Sequence, residues 1–158
     1  MLKVMEDWVI TPILAVLLAF ITAGVFLQVV LRYGFNATFL WAEEMALFAF
    51  IWSVFLGAAV GVRRGIHLAF DFIPLLITGR AAGVHRFVIN LTIFGVALLL
   101  IIEGWAFAQL NVHRFSPAIG ISLFIPTLII PISGVLMLLA VVDDLAEDFR
   151  HISSGRVV

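Results

Sequence analysis

Four long apolar stretches dominate the sequence and restrict what the chain can become. They cover about residues 9–31, 42–62, 87–110 and 119–142, and each can cross the hydrocarbon core of a bilayer, which takes about 20 apolar residues. A segment inside lipid must satisfy its own backbone hydrogen bonds, so each stretch is predicted to be helical. We therefore predict an all-α integral membrane protein, with residues 1–158 forming a single membrane domain of four transmembrane helices.

The composition supports this prediction and excludes several classes of function. The chain is 64% hydrophobic and 12% charged, whereas soluble domains carry about 25% charged residues. With a net charge of −1 and no basic tract, the chain is not expected to bind nucleic acid. It has no cysteine, which excludes disulfides and thiolate metal sites. The first stretch is too long for a signal peptide and lacks a small-residue cleavage site, so we expect it to be retained.

The distribution of basic residues predicts the orientation of the helices. Four helices place both termini and the second loop on one side of the membrane. That side holds Lys3, Arg63, Arg64, Arg80, Arg86, Arg150 and Arg156, whereas the other side holds Arg32 and Arg114. Because cytoplasmic loops carry the excess of Lys and Arg, both termini are predicted to be cytoplasmic.

The connection between the second and third helices is unusual. The stretch between Arg64 and Phe87 is too apolar for a free loop, and Pro74 and Gly79 interrupt it too often for a fifth span. We expect an interfacial segment that lies with its apolar side on the membrane. An ordinary loop that touches lipid is the alternative.

Two adjacent acids open the second helix. Glu43 and Glu44 follow Trp41 in the sequence WAEE, and the helix macrodipole favours negative charge in a first turn. Arg32 closes the first helix and should lie at a similar depth, so an ion pair between Arg32 and Glu43 or Glu44 is one interpretation. A contact to another protein and a proton or ion site are the alternatives.

The second helix also presents two contrasting sides. Gly57 and Gly61 lie on one stripe at a four-residue spacing that lets helix backbones approach closely. Trp41 suits the interfacial aromatic belt. Trp52 lies 11 residues further along, roughly 16 Å deeper, so the belt does not explain it. Either it faces lipid or it packs against a partner helix, and we favour the partner helix.

Few polar residues lie inside the spans. Glu103 is an intramembrane acid, which is a functional hypothesis by default; a carboxylate that reaches the nearby surface, or one bonded to Trp105, Gln109 or a neighbouring helix, explains it equally well. All four histidines lie outside the spans, which argues against a haem held between helices. No His, Asp and Glu group has metal-ligand spacing, and nothing indicates an enzyme.

The centres of the four spans are almost wholly apolar. They read AVLLAFITAGVF, LFAFIWSVFLGAA, LTIFGVALLLI and TLIIPISGVLML. A carrier that works alone usually has broken helices or charged residues near the midplane. The sequence therefore favours a scaffold or accessory subunit whose partner holds the transport site.

Several motifs carry a resemblance to a known family. The pair Arg32–Tyr33 closes the first helix, WAEE opens the second, IWSVFLGAAVGVRRGIHLAFDFI follows it, and the fourth span contains IPTLIIPISG. In these motifs and in its four-span layout, the chain resembles the small membrane subunit, of the DctQ type, of tripartite ATP-independent periplasmic (TRAP) transporters.

The resemblance implies a function for the whole chain. Such a subunit pairs in the bacterial or archaeal inner membrane with a large multi-helix subunit that holds the substrate and sodium sites and moves like an elevator. A periplasmic binding protein delivers an organic acid, and the sodium gradient drives uptake. The small subunit would brace the large one within the lipid, without binding substrate or carrying a cofactor.

The resemblance also marks individual residues. Trp41, Glu43 and Glu44 match the family's Trp–x–Glu–Glu signature, and His67 and Asp71 match a His–x–x–x–Asp segment. We expect structural or partner-interface roles for these five residues, together with Arg32, Trp52, Gly57, Gly61 and Glu103.

Two other functions stay open at this stage. The chain could be a self-sufficient proton-coupled carrier that uses Glu103 or Glu43. It could also be a tetraspan membrane-assembly protein with no part in transport.

Overall fold

A computed structural model describes residues 10–63 and 80–154, with side chains described for 10–63, 85 and 87–142. The described chain is helical, as predicted, and contains no β-strand. Its helices are α1 (Thr11–Gly34), α2 (Leu40–Arg63), α3 (Arg80–Leu110), α4 (Phe124–Thr127) and α5 (Ile129–Ser154).

Four segments of these helices are long and apolar enough to cross a membrane. They are Thr11–Gly34, Leu40–Arg63, Phe87–Leu110 and Phe124–Val142. The first three agree with the sequence prediction to within three residues. The fourth span begins at Phe124 instead of residue 119, because the preceding residues form an ordered loop.

The predicted interfacial segment lies mostly outside the described residues. The structure does not describe residues 64–79, which include His67 and Asp71. The last part of the predicted segment forms the beginning of α3, which starts at Arg80. The interfacial placement therefore stays a prediction.

Two loops lie together at one end of the described chain, which we name the Glu44 end. The first connects α1 to α2. It reverses at Asn36, whose φ of 52° is left-handed, a conformation that asparagine adopts more readily than most residues. The amides of Phe35 and Ala37 both donate to the carbonyl of Leu31, each at 3.1 Å, so the end of α1 is capped by the loop itself.

The second loop, residues 111–123, connects α3 to α4 and is held by its own hydrogen bonds. The amide of Leu123 donates to the carbonyl of Arg114 (2.8 Å), and the amide of Ser116 donates to the carbonyl of Ile121 (2.9 Å). Gly120 turns the chain with a φ of 76°, a value at which a side chain would be strained. The loop, which includes Pro117, is consequently a compact platform.

The fourth span is broken near its two prolines. Leu128 separates α4 from α5, and Pro126 and Pro131 each occupy the first turn of their helix. A proline is tolerated there because its missing N–H has no partner to lose. The hydroxyl of Thr127 donates to the carbonyls of Leu123 (2.8 Å) and Phe124 (3.0 Å), which satisfies acceptors near the break.

The helices pack as an open row in the order α1–α2–α5–α3. The extensive contacts join α1 to α2, α2 to α5 and α5 to α3. Within the described residues, α1 makes at most a marginal contact with α3, so the row does not close into a bundle. As a result α1 contains no buried residue, and all four long helices expose large apolar side chains.

The closest helix pair is α3 with α5. A Cβ built on Gly104 would lie 2.6 Å from Cγ2 of Ile130 and 3.2 Å from the Pro131 ring. A Cβ on Gly134 would lie 3.0 Å from the Ala97 carbonyl oxygen. Small residues let these backbones approach, which is how helices gain packing contacts in lipid.

Two apolar clusters join the row. The first combines Ile10, Leu56 and Ile129, so it links the start of α1 with α2 and α5. The second combines Ala59, Ala97 and Met137 from α2, α3 and α5. The core therefore follows the centre of the row, on either side of α5.

Candidate functional site

The carboxylate of Glu44 joins the two loops at the Glu44 end. It accepts a hydrogen bond from the hydroxyl of Ser116 and from the amides of Ala118 (3.1 Å) and Ile119 (3.2 Å). Hydrogen bonds to an ionised acceptor are about twice as strong as neutral ones. Glu44 therefore ties the start of α2 to the loop between α3 and α4.

The loop is shaped to receive this carboxylate. Ser116 is buried, and its Oγ also accepts a hydrogen bond from the amide of Ile119 at 3.2 Å. This local turn directs two successive amides toward one point, an arrangement that binds anions. We name the Glu44 carboxylate and residues 116–119 the Glu44 latch.

Further polar contacts hold the loop beneath the latch. Asn111 is buried, and its side-chain amide donates to the carbonyl of Phe107 at 2.9 Å. The hydroxyl of Ser122 donates to the carbonyl of Val112 at 2.8 Å and accepts from the amide of Phe124 at 3.2 Å. The latch thus rests on a platform that joins the end of α3 to the start of α4.

The expected ion pair between Arg32 and an acid of α2 is not formed in the described part of the chain. Glu44 is engaged by the loop instead, because three donors converge on its carboxylate. Arg32 and Glu43 are both exposed and line one cavity of about 170 Å³ between α1 and α2. The two acids of WAEE therefore have different surroundings, and only Glu44 joins distant segments.

The two tryptophans of α2 also differ. Trp41 is exposed beside Phe39, with ring centroids 6.4 Å apart and an edge-to-face angle of 67°. Trp52 is half-buried and packs against the cluster of Ile10, Leu56 and Ile129. Trp52 consequently contacts neighbouring helices of this chain, whereas Trp41 lies at the Glu44 end as expected of an interfacial ring.

The glycine stripe of α2 is not a close contact within the described chain. A Cβ built on Gly57 or Gly61 would meet no described atom within 4 Å. The buried face of α2 consists of Ala46, Ala49, Ser53, Leu56 and Ala59. Gly57 and Gly61 lie beside that face, where there is room for an additional side chain or helix.

Glu103 is exposed on α3 and has no hydrogen bond or ion pair with any described residue. The next residue, Gly104, faces α5, so Glu103 points away from the closest helix pair. Its roles as a structural or a functional acid both stay open. Among the described residues, no three His, Asp or Glu side chains are grouped to hold a metal ion.

Sequence reasoning missed two parts of this arrangement. It did not identify Ser116 as the partner of Glu44, although a serine before a proline in the sequence SPAIG is typical of a turn. It also assigned close packing to Gly57 and Gly61 instead of Gly104. The spacing of Ala97, Gly104 and Ala108, seven and then four residues, places three small residues on one face of α3 and could have indicated this contact.

Comparison with known proteins identifies the family. Residues 21–151 match the family described as "Tripartite ATP-independent periplasmic transporters, DctQ component". A protein of Haemophilus influenzae, provisionally designated a TRAP transporter small permease protein, is 30% identical over 142 residues, which are 89% of this chain and 88% of that protein.

Two further relatives have more specific names. The C4-dicarboxylate TRAP transporter small permease protein DctQ of Vibrio cholerae is 31% identical over 93 residues, 59% of this chain and 40% of that protein. The isethionate TRAP transporter permease protein DctMQ of Oleidesulfovibrio alaskensis is 26% identical over 149 residues, 92% of this chain and 23% of that protein. This chain, a multi-pass membrane protein, belongs to the DctQ family of small TRAP transporter permease subunits.

Proposed function

We propose that this chain is the scaffold subunit of a sodium-driven, binding-protein-dependent importer of organic acids, and that it binds no substrate itself. The open row of α1, α2, α5 and α3 is the observation that carries this proposal. A closed bundle would also pack α1 against α3, whereas each of these two helices packs extensively against only one other long helix. Large apolar side chains are exposed on all four long helices. Such a row is suited to lie along a larger membrane protein.

The chemistry of the spans supports a passive role. Between Glu44 and Arg63, α2 contains no charged residue, and the polar contacts of the Glu44 latch lie at one end of the molecule. α2 therefore provides no charged path across the membrane. Ions and substrate would cross in the large permease subunit with which TRAP small subunits work.

The names of the relatives support the proposed partner, a large permease subunit, and the proposed class of substrate, organic acids. The isethionate relative matches this chain over only 23% of its length, and its name joins M and Q, as expected of a fused large and small permease. C4-dicarboxylates and isethionate, the substrates in the relatives' names, are both organic anions. We extend that class, without a specific substrate, to the importer that contains this chain.

The arginine distribution supports the orientation that we propose. The Glu44 end would face the periplasm, where a substrate-binding protein docks, and both termini would face the cytoplasm across the inner membrane. The Glu44 latch would keep the periplasmic loops in a fixed shape while the large subunit moves. Neither an enzymatic activity nor a resident cofactor is part of this proposal.

The partner assignment is tested by co-purification. An affinity tag on this chain should recover a larger multi-helix permease from the native membrane. Proteoliposomes that contain both subunits and the binding protein should take up an organic acid only with an inward sodium gradient. Transport by this chain alone, lost in Glu103→Gln or Glu43→Gln, would support the proton-coupled carrier instead.

A further inference from the structure

The cavity between the end of α1 and the start of α2 combines opposite charges with apolar walls. Arg32 and Glu43 line it from the two helices, and Gln28, Val25 and Val29 line it along α1. Its volume of about 170 Å³ can admit a small polar group. No part of the Glu44 latch lines this cavity, so it is a second, separate feature of the Glu44 end.

The polar groups of the cavity have incomplete partners within the described chain. Arg32 and Glu43 both reach the cavity, but they form no ion pair with each other or with another described residue. The side-chain nitrogen of Gln28, Nε2, is buried and has no described hydrogen-bond partner. That nitrogen has almost no exposed surface, so Arg32 and Glu43 are the charged groups that a ligand in the cavity can reach.

We infer that this cavity binds the headgroup of a zwitterionic phospholipid of the phosphatidylethanolamine class. The phosphate matches the planar guanidinium of Arg32, which can donate two parallel hydrogen bonds. The ammonium matches the carboxylate of Glu43. A headgroup with a phosphate and a primary amine therefore complements both charges, the positive charge of Arg32 and the negative charge of Glu43.

The apolar wall favours a lipid over a soluble zwitterion. Val25 and Val29 precede Arg32 by seven and three residues, so they lie on the same face of α1, roughly 10 Å and 5 Å deeper at the helical rise. Both are exposed and could contact an acyl chain. Tyr33 and Trp41 are also exposed at this end, and such rings are typical of the headgroup level.

Native mass spectrometry of the full-length protein tests this inference, which does not depend on the transporter assignment. The protein would be titrated in detergent with dioleoyl phosphatidylethanolamine or dioleoyl phosphatidylglycerol. We expect the wild type to prefer the ethanolamine lipid. Arg32→Gln should weaken binding of both lipids about tenfold, whereas Glu43→Gln should mainly abolish the preference between them, because only the ethanolamine headgroup carries an ammonium.

The controls use matched residues outside the cavity. Arg114→Gln removes another exposed arginine at the same end, and Glu103→Gln removes another exposed acid; both should bind lipid as the wild type does. Circular dichroism would confirm that each variant is folded, and Arg32→Lys should retain part of the binding. Unchanged lipid binding in folded Arg32→Gln, or equal loss in Arg114→Gln, would overturn the inference.

Competition with a soluble headgroup distinguishes a lipid-binding site from a site that binds small zwitterions. Phosphoethanolamine at the lipid's concentration should not displace the bound lipid, because it lacks the chains that contact Val25 and Val29. Displacement at equal concentration would overturn the lipid assignment. A crosslink from position 32 to a permease partner in place of lipid would overturn it as well.

Discussion

Glu44 and Ser116 lie 72 residues apart in the chain, yet the Ser116 hydroxyl donates a hydrogen bond to the Glu44 carboxylate. The contact joins the start of α2 to the loop between α3 and α4. In the row of helices, α2 and α3 are separated by α5. The Glu44 latch therefore connects segments that the packing of the spans alone would leave apart.

We expect Glu44→Gln to destabilise the protein by about 2–3 kcal/mol, since hydrogen bonds to a charged group contribute more than neutral ones. The amide would also turn a donor toward the Ala118 and Ile119 amides. Unfolding in SDS followed by tryptophan fluorescence would measure the change. Glu43→Gln makes the same change of charge one residue away and should alter the free energy of unfolding by less than about 0.5 kcal/mol. Equal losses in the two variants would show that the latch does not stabilise the fold.

Ser116→Ala should cost about 1 kcal/mol, and its effect should not add to that of Glu44→Gln, because the two residues share one contact. A double-mutant cycle by the same unfolding assay measures the coupling. Ser53→Ala is the matched control, since Ser53 bonds only to the Phe50 carbonyl of its own helix, at 2.8 Å, in the described chain. Strict additivity of Ser116→Ala with Glu44→Gln would contradict the contact.

Gly104→Ala should destabilise the pair of α3 and α5 by roughly 1–3 kcal/mol, as expected for overpacking. The new Cβ would lie 2.6 Å from Ile130 and would push against the Pro131 ring. Gly95→Ala is the control on the same helix, because a Cβ there meets no described atom within 4 Å. It should be neutral or slightly stabilising, since alanine favours helix. A harmless Gly104→Ala would mean that the helices are further apart than described.

Gly57→Leu should leave the folding of this chain intact but reduce its co-purification with a large permease subunit. The described chain has room at this position, so a bulky side chain would disturb only a neighbour from another protein. The free energy of unfolding and the yield of the co-purified subunit would be measured together. A strongly destabilised variant would indicate that Gly57 lies in a contact within this chain. Unchanged co-purification would indicate that this face of α2 contacts lipid.

Trp52→Ala should destabilise the chain itself, by about 1–3 kcal/mol, less than in a water-soluble core because no hydrophobic transfer drives packing in lipid. The ring packs against the cluster that links Ile10, Leu56 and Ile129. Trp41→Ala removes an exposed indole from the same helix and should change the unfolding midpoint much less. An unaltered midpoint in Trp52→Ala would assign the ring to a contact with lipid or another subunit.

The positions of the membrane-spanning helices could largely be predicted from the sequence. Apolar length alone gave the helices, because a bilayer imposes both a length and a helical backbone on any segment that crosses it. The break at Leu128 has an equally local cause, since Pro126 and Pro131 lie on either side of it. The start of the fourth span was misplaced because the ordered loop before it depends on hydrogen bonds such as that between Ser116 and Ile121.

The contacts of the acids and glycines could not be predicted from the sequence. An ion pair of Arg32 with Glu43 or Glu44 was one interpretation, because Arg32 closes α1 and the two acids lie at the start of α2. In the structure the amides of residues 118 and 119 bind Glu44 instead. Gly57 and Gly104 occur in equally apolar helices, and their spacing does not say which one meets another backbone.

The sequence by itself determined that this protein is a four-span membrane protein, that its chemistry lies at its ends, and which family its motifs resemble. Those properties follow from local composition, since lipid and water act on each segment separately. Only the tertiary structure decided that the helices form an open row, that Gly104 is the close contact and that Glu44 closes a latch with Ser116. These depend on which surfaces meet across the fold, and hydrophobic patterning does not specify that choice when every surface is apolar.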